Sequence, residues 1–165
     1  MKIVVRLVLL AAAAGLGFWL WTVLFPSPEK VVLNKIANLA ATATVSAGDG
    51  NITRATKVSD LNSYFSTDAE ISYDVTEFGA HTLSGRDELR EIAAGAFTQL
   101  SAVNVQFFDA TARVGADKQS AEVTCTARVS VGDGKDFGIQ ELRIQFKKID
   151  GDWRITRAET MKTLK

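Results

Sequence analysis

The sequence predicts an α+β domain: a curved antiparallel sheet covered on one face by three helices and preceded by one transmembrane helix. Three observations carry this reading. Leu7 to Phe25 runs without a charged residue. Apolar residues recur at helical spacing from Val31 to Ala40 and again from Leu89 to Leu100. From Ala121 onward, apolar and polar residues alternate with a period of two.

The first element is the apolar run. A helix rises about 1.5 Å per residue, so roughly 20 residues cross a hydrocarbon core of about 30 Å. Ile3, Val4 and Val5 extend the run backward, and Arg6 snorkels toward the headgroups. Cleavage after Ala11–Ala14 would leave Leu16-Gly17-Phe18-Trp19-Leu20-Trp21 as a greasy new terminus. An uncleaved signal anchor over residues 1–25 is therefore expected, in contact with the membrane through residues 3–25. Lys2, Arg6 and the terminal amine hold the N-terminus in the cytoplasm. Trp19, Trp21 and Phe25 sit toward the distal end, as an interfacial aromatic belt does. The expected location is the cytoplasmic membrane, single-pass, with the C-terminal part on the periplasmic side.

Residues 26–165 have the size of one ordinary domain. Pro26-Ser27-Pro28 ends the anchor and starts a helix, with Ser27 as N-cap and Pro28 in the first turn. Its apolar stripe is Val31, Val32, Leu33, Ile36, Leu39 and Ala40, and it ends near Ala43. Gly48-Asp49-Gly50-Asn51 reads as a turn or loop. A short second helix is expected over Val58–Phe65. Ile71, Tyr73 and Val75 then alternate with Ser72, Asp74 and Thr76, the pattern of a half-buried strand. A loop through Gly79 and His81 leads to a third helix, capped by Ser84 or a neighbour, with Asp87 and Glu88 in its first turn. The rest reads as strand: 103–114, 121–131, 137–149 and 153–161. Gly132-Asp133-Gly134 and Asp150-Gly151 are hairpin turns.

Composition narrows the function classes. Without Lys2 and Arg6 the soluble part has 17 Lys and Arg against 19 Asp and Glu, and no basic stripe. Nucleic-acid binding is disfavoured, because phosphate contacts need clustered cations. One cysteine, Cys125, excludes an intramolecular disulfide; with one histidine it excludes a four-ligand zinc site of Cys and His. Cys125 lies on the apolar phase of its strand and reads as a core residue. No phosphate loop, nucleophile elbow or metal motif occurs, and no cofactor is expected.

Three segments together carry a resemblance: Asp68-Ala69-Glu70-Ile71-Ser72-Tyr73, His81-Thr82-Leu83-Ser84-Gly85-Arg86-Asp87-Glu88-Leu89, and Asp150-Gly151-Asp152-Trp153-Arg154-Ile155. They resemble the nuclear transport factor 2-like superfamily, in particular its SnoaL-like branch, over nearly all of residues 26–165. The resemblance implies a cystatin-like cone, with a curved sheet wrapped around helices and often dimerising through the sheet. It also implies, for ketosteroid isomerases of the family, a carboxylate base at the end of the first strand. Tyr73 holds that position here, and Asp74 falls on the opposite phase. The family's tyrosine oxyanion donor in the first helix has no counterpart between Pro28 and Ala43, where Asn34 and Asn38 are the larger uncharged polar residues.

The catalytic candidates are therefore Asp74 and His81, the only histidine and a general base near neutral pH; the plain alternative for His81 is a surface or hydrogen-bonding role. Candidate cavity residues are Tyr73, Phe97, Glu141 and Arg157. For each there is a structural alternative: Tyr73 and Phe97 as ordinary core, Glu141 and Arg157 as solvated strand faces. The function expected is a membrane-anchored, non-catalytic binding or assembly module of the cell envelope. Its expected partners are a second copy, membrane-complex proteins or a small apolar ligand. The alternative is a tethered SnoaL-like or ketosteroid-isomerase-like enzyme acting on a small apolar substrate in the cone.

Overall fold

The computed structural model describes Gly15 and residues 26–75, 79–132 and 136–161. Apart from Gly15, the expected anchor over residues 3–25 lies outside the described residues, as do Asp133 and Gly134 of the first hairpin turn. Among the described residues no helix is long and apolar enough to cross a membrane.

Helix α1 spans Pro28–Ala43. The Ser27 hydroxyl caps it, accepting from the Lys30 N–H at 3.3 Å, and Pro28 occupies the first turn. Val32, Ile36 and Leu39 are its buried residues, spaced four and three apart on one face. Thr44 ends the helix and ties it to the sheet: its Oγ1 accepts from the Val105 N–H at 3.1 Å. Val45 then exchanges two backbone hydrogen bonds with Val103, of 2.7 and 2.8 Å.

Helix α2 covers Asn51–Ser63, beginning seven residues before the expected Val58. Its first turns lack an apolar stripe, so periodicity did not reveal them. Strand β1 is Phe65–Val75 and strand β2 is Gly79–Ser84. The expected loop at His81 is thus a strand, paired antiparallel to β1 with Tyr73 opposite His81. Gly79-Ala80-His81-Thr82 has little intrinsic strand character; pairing with β1 supplies it.

Helix α3, Arg86–Gln99, has Gly85, the neighbour of Ser84, as its N-cap, at φ 88°. The Ser84 N–H donates instead to the Glu88 carboxylate at 2.7 Å, so a first-turn acid reaches back across the helix start.

Strands β3 (Val103–Val114), β4 (Ser120–Val131), β5 (Asp136–Ile149) and β6 (Asp152–Thr160) form an antiparallel meander. The six-stranded order is β2-β1-β6-β5-β4-β3, and β1 runs parallel to β6. The expected all-antiparallel sheet therefore has one parallel pair. The last strand returns to the middle of the sheet, and its direction follows from the number of hairpin reversals before it. Breaks in register fall between Phe65 and Glu70, Phe108 and Thr111, and Gln145 and Phe146. Asp109 sits in the second break at φ 52°. Such bulges bend and twist strands, and they curve this sheet around α1.

The core lies inside that curve. Val123, Ile144, Phe146, Ile155, Val32 and Ile36 are at most 2 % exposed. Each contributes roughly 1.5–3 kcal/mol on burial. A second cluster, Val45, Val58 and Phe97, joins α2 to α3.

Candidate functional site

The inside of the cone holds a half-open cavity of about 180 Å³. Leu39 of α1 enters it from the helix side, and Phe65, Ile71 and Tyr73 of β1 form one wall. Phe107 of β3, Leu142 and Ile144 of β5, and Ile155 and Ala158 of β6 complete it. The apolar phases of four strands converge there because the curved sheet turns one face inward.

Four polar residues also border the cavity: Ser72, Tyr73, Glu159 and Thr160. Ser72 Oγ lies 3.1 Å from Thr82 Oγ1 on the neighbouring strand. The Glu159 carboxylate accepts from Arg143 Nη1 at 3.1 Å. These two side chains are committed to partners outside the cavity. Tyr73, half-buried, is the aromatic group that carries a polar tip. His81 is exposed and stacks on it, with ring centroids 5.6 Å apart and planes 29° apart. The structure thus brings Tyr73 and His81 together at the rim of the cone.

The other candidates separate. Asp74 pairs with Ala80 in the ladder, one residue out of phase with Tyr73. Phe97 is buried in the α2–α3 cluster rather than in the cone, because its helix packs on α2. Glu141 is exposed opposite Thr126, on the sheet's outer phase. Arg157 is also on the outer phase, 3.9 Å from Glu70 and 3.8 Å from Glu159. Neither Glu141 nor Arg157 lines the cone cavity. With Glu70, Glu122, Arg143 and Glu159, Arg157 joins a chain of charges across four strands; Glu122 is 3.7 Å from Arg143. Outward placement follows from strand alternation: Leu142, Ile144 and Ala158 take the inward positions beside them.

Sequence reasoning missed Leu39, Phe65, Phe107 and Leu142 as cavity wall. Leu39 and Leu142 were legible as inward positions. That their surfaces leave a void depends on side chains from four different strands.

A larger groove of about 610 Å³ lies between α2 and α3. Arg54 stands in its wall and is wholly engaged. Nε donates to the Asp49 carbonyl at 3.0 Å. Nη1 donates to the carbonyls of Phe97 and Leu100, and Nη2 to those of Ser46 and Ser101. The guanidinium thereby caps the C-terminal end of α3, where helix carbonyls lack partners. Beside it Lys57 Nζ donates to the Asp49 carboxylate at 2.7 Å. That bond, together with the Ser46 N–H, holds the Asp49 carboxyl below the usual range.

The Cys125 thiol is buried, and desolvation pushes it up to about 11. It is a poor nucleophile at neutral pH. Among the described residues no three His, Cys, Asp or Glu side chains converge to hold a metal ion.

Comparison with known proteins places this architecture. The sequence profile described as SnoaL-like domain matches residues 41–159. No curated protein matches the chain. Among solved structures, a nuclear transport factor 2-like protein with a cystatin-like fold from Novosphingobium aromaticivorans is 21 % identical, at TM-score 0.56, covering 76 % of this chain and 75 % of its own. A candidate scytalone dehydratase from the same organism is 16 % identical, at TM-score 0.60, covering 82 % and 83 %. A candidate aromatic ring hydroxylase, also from that organism, is 13 % identical, at TM-score 0.61, covering 86 % and 93 %. At these identities the likeness is one of fold. The profile match spans α2, α3 and the whole six-stranded sheet, and by it the chain belongs to the SnoaL-like domain family.

Proposed function

We propose that this chain is a membrane-anchored, non-catalytic binding module of the cell envelope whose cone takes a small apolar ligand. The observation that carries the ligand is the cavity itself. Its walls are aliphatic and aromatic, and two of its four polar neighbours have hydrogen-bond partners elsewhere. An apolar cavity of about 150 Å³ accommodates a ring the size of benzene. The anchor reading is supported by the uncharged run Leu7–Phe25. It places the domain on the periplasmic side of the cytoplasmic membrane.

The outer sheet face is the surface we assign to assembly with a second copy or with membrane-complex proteins. Phe108 and Ile139 are 45 % and 56 % exposed there, on strands flanking Thr126 and Arg128 of β4.

A thermal melt of the full chain in nanodiscs, with and without benzene, tests the cavity. Benzene is expected to raise the midpoint of the parent chain by mass action and to leave Ala158→Leu, which fills the cavity, unshifted. Equal responses in both proteins would overturn the reading.

One observation favours the alternative of a tethered enzyme acting on a small apolar substrate: the Tyr73–His81 stack at the cone rim. It gives a general base beside a phenol. In the non-catalytic reading, His81→Ala and Asp74→Asn leave the cellular role intact. Loss of that role with the fold retained would establish the enzyme.

A further inference from the structure

We infer that the end of the domain formed by the start of α1 and the tips of the β3–β4 and β5–β6 hairpins rests on an anionic lipid surface. The inference extends the anchor reading proposed above.

The geometry follows from α1. Its C-terminal end is pinned at Val103 and Val105 by the Val45 and Thr44 hydrogen bonds. Sixteen residues of helix rise about 24 Å. At about 3.3 Å per strand residue, with one more residue for the bulge at Asp109, that length returns to about the level of Thr111–Arg113, just before the end of β3. Pro28 therefore stands at the end of the sheet where β3 turns into β4. The ladder puts the β5–β6 turn at the same end: Val114 pairs with Ala121, Ala121 with Phe146, and Phe146 with Ile155. The expected anchor ends at Phe25, and α1 begins at Pro28. The intervening chain is too short to carry this end far from the bilayer.

The charge at this end is opposite to that of the domain as a whole. Lys30, Lys118, Lys147 and Lys148 are exposed, around Ile149, which is 38 % exposed. Of the acids here, Asp152 is paired with cations, and Asp117, Asp150 and Glu29 keep their charge. Asp152 lies 3.2 Å from Lys35 and 3.3 Å from Arg154. Asp117 accepts from the N–H groups of Gln119 and Ser120. Glu29 sits in the first turn of α1, where the helix dipole favours it, and Asp150 occupies the turn. The Ser66 hydroxyl and its own backbone N–H hold the Asp68 carboxyl below its usual range, and the Lys147 charge adds to them. Residues 26–165 carry 17 Lys and Arg against 19 Asp and Glu; six of those cations, Lys30, Lys35, Lys118, Lys147, Lys148 and Arg154, lie at this end beside Glu29, Asp68, Asp117, Asp150 and Asp152, a slight positive excess in a domain that is acidic as a whole. Anionic headgroups attract such a cluster at distances within a Debye length, about 10 Å at 0.1 M salt. The exposed isoleucine at its centre offers an apolar contact to the interface.

The test uses the full chain in vesicles of phosphatidylcholine alone, or mixed with phosphatidylglycerol. A fluorophore is attached at Ile149→Cys or, as control, at Ile139→Cys, about 33 Å away along β5. Quenching by spin-labelled lipid is then read. Quenching at 149 is expected to exceed that at 139 several-fold on the anionic vesicles. It should fall on neutral vesicles, in high salt, and in Lys118→Glu/Lys147→Glu/Lys148→Glu. A chain that floats with the vesicles but quenches equally at both positions overturns this inference and leaves the anchor standing. Quenching at 149 that ignores lipid charge and salt overturns the anionic recognition. A chain that does not float overturns the anchor reading and this inference together.

Discussion

At the scale of single residues, Arg54 organises more backbone than any other side chain described. Its guanidinium donates to five carbonyls: three at the end of α3 and two in the loop before α2. Hydrogen bonds from a charged donor contribute about 1.5–3 kcal/mol each in isolation and do not add. Removing the donor leaves carbonyls without partners near the Val45–Val58–Phe97 cluster. Arg54→Gln is expected to cost about 2–3 kcal/mol. Urea unfolding measures it, and a loss below about 0.5 kcal/mol, the size of an ordinary surface substitution, would mean the clamp is idle. No local pattern marked Arg54 in the sequence. It is one cation in a polar helix, and its acceptors lie up to 47 residues away. Tyr73 was legible as an inward position by alternation with Ser72. Its stacking on His81 was not, because that contact requires β2 to be a strand.

At the scale of elements, turns and caps set the register that forms the cavity. Asp150 and Gly151 both have positive φ, 52° and 84°, the backbone of a two-residue hairpin whose twist matches its strands. A side chain at 151 would meet no neighbouring atom within 4 Å, so substitution there acts through the backbone alone. A β-branched residue in the left-handed region costs about 1–2 kcal/mol. Gly151→Val should therefore destabilise the domain by that amount, measured by the denaturation midpoint at unchanged slope. A neutral result would show that the turn can change type without moving β6. The charged row on the outer face is a weaker element. Its members are a third to half exposed, and such pairs contribute little individually. Strands β3 to β6 were readable because polar and apolar residues alternate along them. Strand β2 and the first half of α2 were not, since neither has a continuous apolar period.

At the scale of the whole molecule, the described core is built from residues between Val32 and Ile155. The buried cluster draws on α1, α3 and strands of the one sheet. A fragment of residues 26–165 is expected to unfold in one cooperative transition. The assembly proposal adds that it sediments above monomer mass at tens of micromolar, where weak dimers of about −6 kcal/mol still form. Phe108→Asp with Ile139→Asp should return it to monomer. A parent fragment that is already monomeric there would place assembly elsewhere, and a gradual melt would show that the domain depends on its anchor.

The sequence by itself determined the α+β class, the cap at Ser27, the limits of the long strands and the turn at Asp150–Gly151. All of these depend on interactions between residues close in the chain, and those leave a period or a turn signature. The tertiary structure alone decided that β1 pairs in parallel with β6, and that Phe97 lies between helices while Tyr73 reaches the cone. It also turned Glu141 and Arg157 outward. Alternation says which residues share a face but not which face the helices cover. That choice belongs to α1, which is pinned at Val103 and Val105 and fills the concave side of a sheet bent by its own bulges.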